Sequence, residues 1–183
     1  KTPIDAPVMA GTTGLDGDGQ ADLEHHGGVD KAVLAYSADH YREWRRELGL
    51  SGIGFGAFGE NFTIAGFTEA LVNIGDIFAI GEARFEVSQP RQPCWKLARG
   101  WRMHELPGLV IRSGRSGWYL RVLEPGLIEK RMEVTLVERP NPEWSVARAS
   151  QILHHRTHDL ALTLQLAGVP RLADSWVAQL RDR

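Results

Sequence analysis

Ala83-Arg84-Phe85-Glu86-Val87-Ser88-Gln89-Pro90-Arg91-Gln92-Pro93-Cys94-Trp95-Lys96 is the stretch on which the fold turns. Phe85 and Val87 alternate with Arg84 and Glu86, the period of a strand with one apolar and one wet face. Two prolines follow. Each fixes φ and removes a backbone donor, so the chain leaves the sheet as a stiff loop. That loop delivers Cys94, the one cysteine of the chain, with Arg91 and Lys96 close by. Neighbouring cations favour the thiolate, the form that reacts and binds metals. Most lone cysteines are instead small buried hydrophobes. Spacing alone leaves both readings open.

The strand period recurs on either side. Trp118, Leu120 and Val122 carry it, and so do Met132, Val134 and Leu136. Gly75-Asp76 reads as a turn, and Ile80-Gly81-Glu82-Ala83 as a tight hairpin of the Gly-X type. Ala32 to Tyr36 is a short apolar run that suits a buried strand. Several short strands at this spacing predict a mainly β, α+β fold built on a sandwich or barrel. One helix interrupts them, over about 38–48. Ser37 is its expected N-cap, Tyr41, Trp44 and Leu48 share its face, and Gly49 ends it. Residues 1–24 are rich in Gly, Asp and Pro and read as loop. Asp16, Asp18 and Asp22 lack the spacing of a calcium loop.

Beyond Arg139 the pattern changes. Pro140-Asn141-Pro142 is a breaker. It divides a β domain, residues 1–139, from a unit of three short helices, residues 140–183. Val146, Ala149 and Leu153 share a face of the first. Asp159 caps the second, with Leu160 and Leu164 on one face and Gly168 as its stop. Pro170 opens the third, where Leu172, Trp176, Val177 and Leu180 are apolar. Helices this short do not stand alone in water, so they pack on each other or on the sheet.

The composition narrows the function. The chain has 183 residues, 43% hydrophobic and 24% charged, enough for a sizeable core without staples. Lys+Arg is 21 against Asp+Glu 23, a net charge of -2, which does not suit a nucleic-acid binder. A lone cysteine forms no internal disulfide, as expected of a reducing, cytoplasmic setting. No apolar run approaches the ~20 residues of a membrane span, and no signal peptide pattern is visible.

Two further segments offer chemistry. In Glu24-His25-His26-Gly27-Gly28-Val29-Asp30-Lys31 the paired glycines permit close backbone approach, while His, Asp and Lys supply proton carriers and a cation. A solvated turn explains it as readily. In Gly56-Ala57-Phe58-Gly59-Glu60-Asn61-Phe62 a flexible loop carries a carboxylate and an amide. His154, His155 and His158 place an i, i+4 pair on one helix, a spacing that can hold zinc, but a surface cluster is the simpler reading. Arg112, Arg115, Arg121, Lys130 and Arg131 read as a solvated basic face.

In order, His25-His26-Gly27-Gly28-Val29-Asp30-Lys31-Ala32-Val33, Gly59-Glu60-Asn61-Phe62-Thr63 and Ser88-Gln89-Pro90-Arg91-Gln92-Pro93-Cys94-Trp95-Lys96 resemble the MOSC family, the molybdenum cofactor sulfurase C-terminal domain. Within it they are similar to the YiiM-like branch, the 6-hydroxylaminopurine resistance proteins. Ser113-Gly114-Arg115-Ser116-Gly117-Trp118-Tyr119-Leu120-Arg121-Val122 and the helical tail from about Pro142 fit that branch too, so the resemblance covers nearly the whole chain. The opening strand of the family has no evident counterpart.

The resemblance implies a barrel-like β core with flanking helices and a three-helix appendage. It implies a pyranopterin–molybdenum cofactor (molybdopterin) ligated by Cys94, and reduction of N-hydroxylated bases. Soft sulfur suits that metal. His25, Gly27, Gly28, Lys31, Asn61, Gln89, Arg91 and Lys96 are the cofactor-binding candidates that follow. His26, Asp30 and Glu60 are the catalytic candidates beside Cys94, with His26 favoured as proton donor because it titrates near working pH. No flavin or iron–sulfur motif is visible, so a reductase needs an external flavin-type electron donor. A carrier that binds cofactor or persulfide without turnover is the alternative. The helical tail could pack on the barrel, form a homodimer or dock that donor.

Overall fold

The computed structural model describes residues 1–19, 27–49, 51–155 and 158–183. Nine strands and six α-helices lie among them. They run β1 (Val8–Gly11), β2 (Gly14–Leu15), β3 (Val33–Ser37), α1 (His40–Leu48), β4 (Phe62–Ile64), β5 (Ile77–Ile80), β6 (Ala83–Pro90), α2 (Trp95–Trp101), α3 (Leu106–Ser113), β7 (Trp118–Glu124), β8 (Gly126–Ile128), β9 (Thr135–Glu138), α4 (Val146–His155), α5 (Leu160–Ala167) and α6 (Asp174–Arg181). A six-stranded sheet has the order β4-β3-β7-β6-β5-β9, and β2-β1-β8 form a smaller one. Among the described residues only β3 and β4 pair in parallel. A parallel neighbour needs a crossover, and α1 supplies it. The result is a mixed, curled half-barrel with helices around it, the α+β class expected.

Two cores explain why β3 is buried along its whole length. Val33 and Ala35 face the first, inside the curl. That core continues through Phe85, Val87, Trp118 and Leu120 into Val146, Ile152 and Leu153 of α4, Leu166 of α5, and Trp176 and Leu180 of α6. Tyr36 faces the second core, with Tyr41 and Trp44 of α1, Phe58, Leu97 of α2, and Leu106 and Val110 of α3. The three C-terminal helices therefore close the sheet's apolar side rather than standing apart.

Several local expectations need correction. Residues 1–24 are not all loop: β1 pairs β2 and β8. Ser37 is not the N-cap of α1. It ends β3, its Oγ accepts from the Asp39 amide at 3.3 Å, and Asp39 occupies the cap. Gly49 does close α1, in the left-handed conformation. Met132 and Val134 are half-buried but precede β9, which starts at Thr135. Helices α2 and α3 fill a stretch for which the sequence pattern suggested no element, beyond placing Arg112 on a basic face. On α5, Leu160 and Leu164 do share a face, but it is the outward one, 56% and 62% exposed, while Thr163, Leu166 and Ala167 face inward. Leucines at 160 and 164 and at 162 and 166 make two opposite sides of that helix apolar, so packing chooses the face. Finally, α4 ends at His155, so His158 is not on the same helix. No metal-holding group of His, Cys, Asp and Glu exists among the described residues. Nor does any helix there have the length and apolarity to cross a membrane.

Candidate functional site

β6 runs to Pro90, which still pairs with Trp118 of β7. Pro93 cannot donate to a ladder, so the strand stops and the chain turns. Cys94 follows in extended conformation, as the N-cap of α2. The cysteine is half-buried and free. It lines a cavity of about 460 Å³ together with Lys31, Ala32 and Leu34 from β3 and its approach, residues 56–59 and Asn61 from the glycine-rich loop, Arg91 and Gln92 from the proline loop, Lys96, Leu97, Gly100 and Trp101 from α2, and Tyr119 from β7. Lys1, Asp18 and Gly19 complete the lining. Among the described residues the charged groups of the lining are thus four cations (Lys1, Lys31, Arg91 and Lys96) against one carboxylate, Asp18.

Arg91 is the most constrained of the cations. It is 6% exposed. Its backbone amide donates to Gly117 O at 3.0 Å, and its Nη2 donates to Phe58 O at 3.2 Å. Phe58 is in turn stacked on Tyr36, with centroids 4.6 Å apart. The other terminal nitrogen, Nη1, is buried and has no hydrogen-bond partner among the described residues. An unpaired buried donor costs about 1–3 kcal/mol, and more when charged, so Nη1 would gain from an acceptor.

Asn61 is held at both ends of its amide. Its Oδ1 accepts from the Leu34 amide at 3.0 Å and its Nδ2 donates to Asp18 at 2.6 Å. Burial works against the charge of Asp18, but the hydrogen bonds from Lys1 and Asn61 and the charge of Lys1 outweigh it. The carboxyl therefore sits below its ordinary range. Tyr119 moves the other way. Burial, opposed by Arg91 and reinforced by Cys94, raises its phenol above the usual value, so it stays protonated.

Five of the residues singled out in the sequence line this cavity: Lys31, Asn61, Arg91, Cys94 and Lys96. The others described lie outside its lining. Gly28, at φ 93, caps the short 3-10 turn Val29–Lys31 that carries Lys31, and Gly27 precedes it. Asp30 forms an ion pair with Arg121, which also binds Glu86 Oε1 at 2.6 Å. Gln89 is buried and accepts from Ser175 Oγ at 3.3 Å, joining β6 to α6. Glu60 is 2% exposed and turned into its own loop. It accepts from the amides of Gly56 at 2.8 Å and Phe58 at 3.1 Å, from Thr63 Oγ1 at 3.0 Å and from the Tyr41 hydroxyl. With its oxygens so occupied, it shapes the loop that forms one wall. His25 and His26 lie outside the described residues. Sequence reasoning missed Tyr119, whose signal was register: it sits directly opposite Gln89 on the strand end that delivers the cysteine.

Comparison with known proteins follows the same outline. Residues 22–135 match the MOSC domain, and residues 144–183 match the YiiM-like, 3-alpha helix domain. Protein YiiM of Escherichia coli (strain K12) is 36% identical over 185 residues, covering 100% of this chain and 82% of its own. A protein of Gibberella moniliformis named Reductase is 38% identical over 173 residues, 93% of this chain but 31% of the longer relative. The crystal structure of YiiM from Geobacillus stearothermophilus superposes with a TM-score of 0.89 at 38% identity, over 99% of this chain and 86% of that one. The chain belongs to the MOSC domain family and carries the YiiM-like 3-alpha helix domain behind it.

Proposed function

We propose that the chain is a molybdenum-cofactor-dependent reductase of N-hydroxylated compounds, including N-hydroxylated purine bases. MOSC domains are associated with molybdenum cofactor binding, and one long relative is named a reductase. The observation that carries the reading is the pairing, in one cavity lining, of the free Cys94 with Arg91, a buried guanidinium whose Nη1 has no partner among the described residues. A soft thiolate suits a metal already held by sulfur, and a fixed guanidinium suits a phosphorylated, anionic pterin. The residues present fit the group.

When bound, the cofactor supplies the two-electron chemistry that cleaves an N–O bond. The protein supplies the rest. Cys94 gives the protein's sulfur ligand at the mouth of α2. Arg91 and the cavity lysines Lys31 and Lys96 neutralise phosphate charge. Leu34, Leu97 and Trp101 exclude water, which strengthens those polar contacts. Tyr119, kept protonated by burial, offers an O–H in the wall beside Cys94 and can hydrogen-bond the substrate oxygen as it leaves. Conversion of R–NHOH into R–NH2 and water consumes two electrons and two protons.

The test is metal and pterin analysis of protein purified from cells with intact pterin synthesis, beside its Cys94→Ser variant. Wild type is expected to carry molybdenum and to reduce a hydroxylaminopurine with a small chemical reductant. Cys94→Ser is expected to lose both. Full metal loading and turnover in that variant would end the reading, and loading of wild type without turnover would identify a carrier.

A further inference from the structure

The helix behind Cys94 has three distinct faces. Leu97 is buried in the second core with Trp101 packed against it, one stripe at i, i+4. Lys96 and Gly100, another i, i+4 pair, line the cavity. The third stripe is Trp95 and Arg99, at i, i+4, followed by Arg102, the left-handed residue that ends the helix. It faces solvent: Trp95 is 62% exposed and both arginines are exposed. Neither guanidinium has a hydrogen bond, ion pair or ring contact among the described residues, and the same holds for Arg112 on α3. Between residues 95 and 115 the chain concentrates Lys96, Arg99, Arg102, Arg112 and Arg115 against one carboxylate, Glu105, although its net charge is -2. Arg115 is paired with Glu43 at 3.2 Å and Glu47 at 2.7 Å.

We propose that this outer face of α2 is the docking surface of an acidic, FMN-carrying protein that delivers electrons to the Cys94 cavity. The proposal rests on the reductase reading, because that reaction consumes two electrons that a donor must supply. Charge complementarity selects the partner. Unpaired surface arginines beside an exposed tryptophan are the residue types that dominate binding energy at interfaces, and a positive patch steers an acidic partner in at low salt. The stripe runs no more than about 12 Å along the helix from Cys94, eight residues at about 1.5 Å each. Redox encounters are small and transient, so a stripe of this size suffices. The electrons balance: FMN hydroquinone is oxidised to FMN, giving up two electrons and two protons, while R–NHOH loses its N–O bond, gains an N–H bond and yields R–NH2 and water.

The experiment titrates FMN-loaded bacterial flavodoxin, as an acidic probe, into the cofactor-loaded protein by calorimetry. Wild type is expected to bind, with affinity falling about tenfold from low to physiological salt. Arg99→Glu/Arg102→Glu is expected to weaken binding about 30-fold or more, and Trp95→Ala about tenfold. Far-ultraviolet circular dichroism checks that the variants fold. Turnover driven by a small viologen reductant needs no docking, so the charge-reversed variant should keep it while losing flavodoxin-driven turnover. Undetectable wild-type binding, unchanged affinity in the charge-reversed protein, or tighter binding of a single-stranded oligonucleotide than of flavodoxin would each overturn the docking proposal. Absence of viologen-driven turnover in wild type would instead overturn the reductase reading, with the titration still deciding the surface.

Discussion

Glu60 and Arg91 show two opposite uses of a buried charge. Glu60 is a fully occupied acceptor, so Glu60→Gln turns an amide N–H2 towards donors that need an acceptor. We expect a loss of about 2–3 kcal/mol in urea unfolding. Turnover lost at undiminished stability would instead make it a proton donor. Arg91 is an unfulfilled donor. Arg91→Met removes the orphan along with a single long bond to Phe58 O. The cofactor-free protein should therefore keep its stability to within about 1 kcal/mol, while metal and pterin retention drops. A strongly destabilised variant that still retains metal would contradict this account. The sequence made both residues visible as loop charges next to glycine or proline. It could not say which way each would face. In Glu60-Asn61 consecutive side chains diverge, the amide into the cavity and the carboxylate into the loop, and only the loop's finished path decides that.

Among the elements, α5 separates hydrophobicity from burial. Leu166→Ala should cost about 3 kcal/mol, since it empties a filled site, whereas Leu164→Ala should change stability by no more than about 0.5 kcal/mol. Thermal unfolding of the pair checks the inner face directly. At the start of the same helix the Asp159 side chain accepts from the Leu162 amide at 3.0 Å, so Asp159→Ala should cost about 1 kcal/mol. That cap was legible, as were β3, β6, β7 and Gly49, because alternation and caps are local signals. Helices α2 and α3 were not. Gly100 interrupts the first, and Pro107-Gly108 opens the second, so neither carries a clear helical signal. Proline is tolerated in a first helical turn, and the inward stripes Leu97-Trp101 and Leu106-Val110 find their partners only through α1 and the Phe58 loop.

For the molecule as a whole, all three tyrosines report on the fold. Tyr36 and Tyr41 sit in the second core and Tyr119 in the cavity wall. Burial raises every one of them, with Glu69 and Glu60 adding to the effect at Tyr36 and Glu60 at Tyr41. A phenol raised in the folded chain contributes stability that is complete below its unfolded value, about 10, and is lost as pH climbs above it. An alkaline titration should accordingly show no tyrosinate absorbance near the ordinary phenol range. The band should then emerge together with loss of the circular dichroism signal. Early, stepwise ionisation of a folded protein would show that these hydroxyls meet water.

Asn141 stitches the two portions of the chain where they meet. Its Nδ2 donates to Ile74 O at 2.9 Å and to Pro170 O at 3.0 Å, and its backbone oxygen accepts from Asn73 Nδ2 at 2.8 Å. With α4, α5 and α6 supplying part of the first core, the concave side of the sheet has no lining of its own. Scission at this crossing would strand a greasy half-shell and three insoluble stubs. Calorimetry should accordingly record one endotherm for the intact polypeptide, and neither fragment should survive as a transplantable cassette.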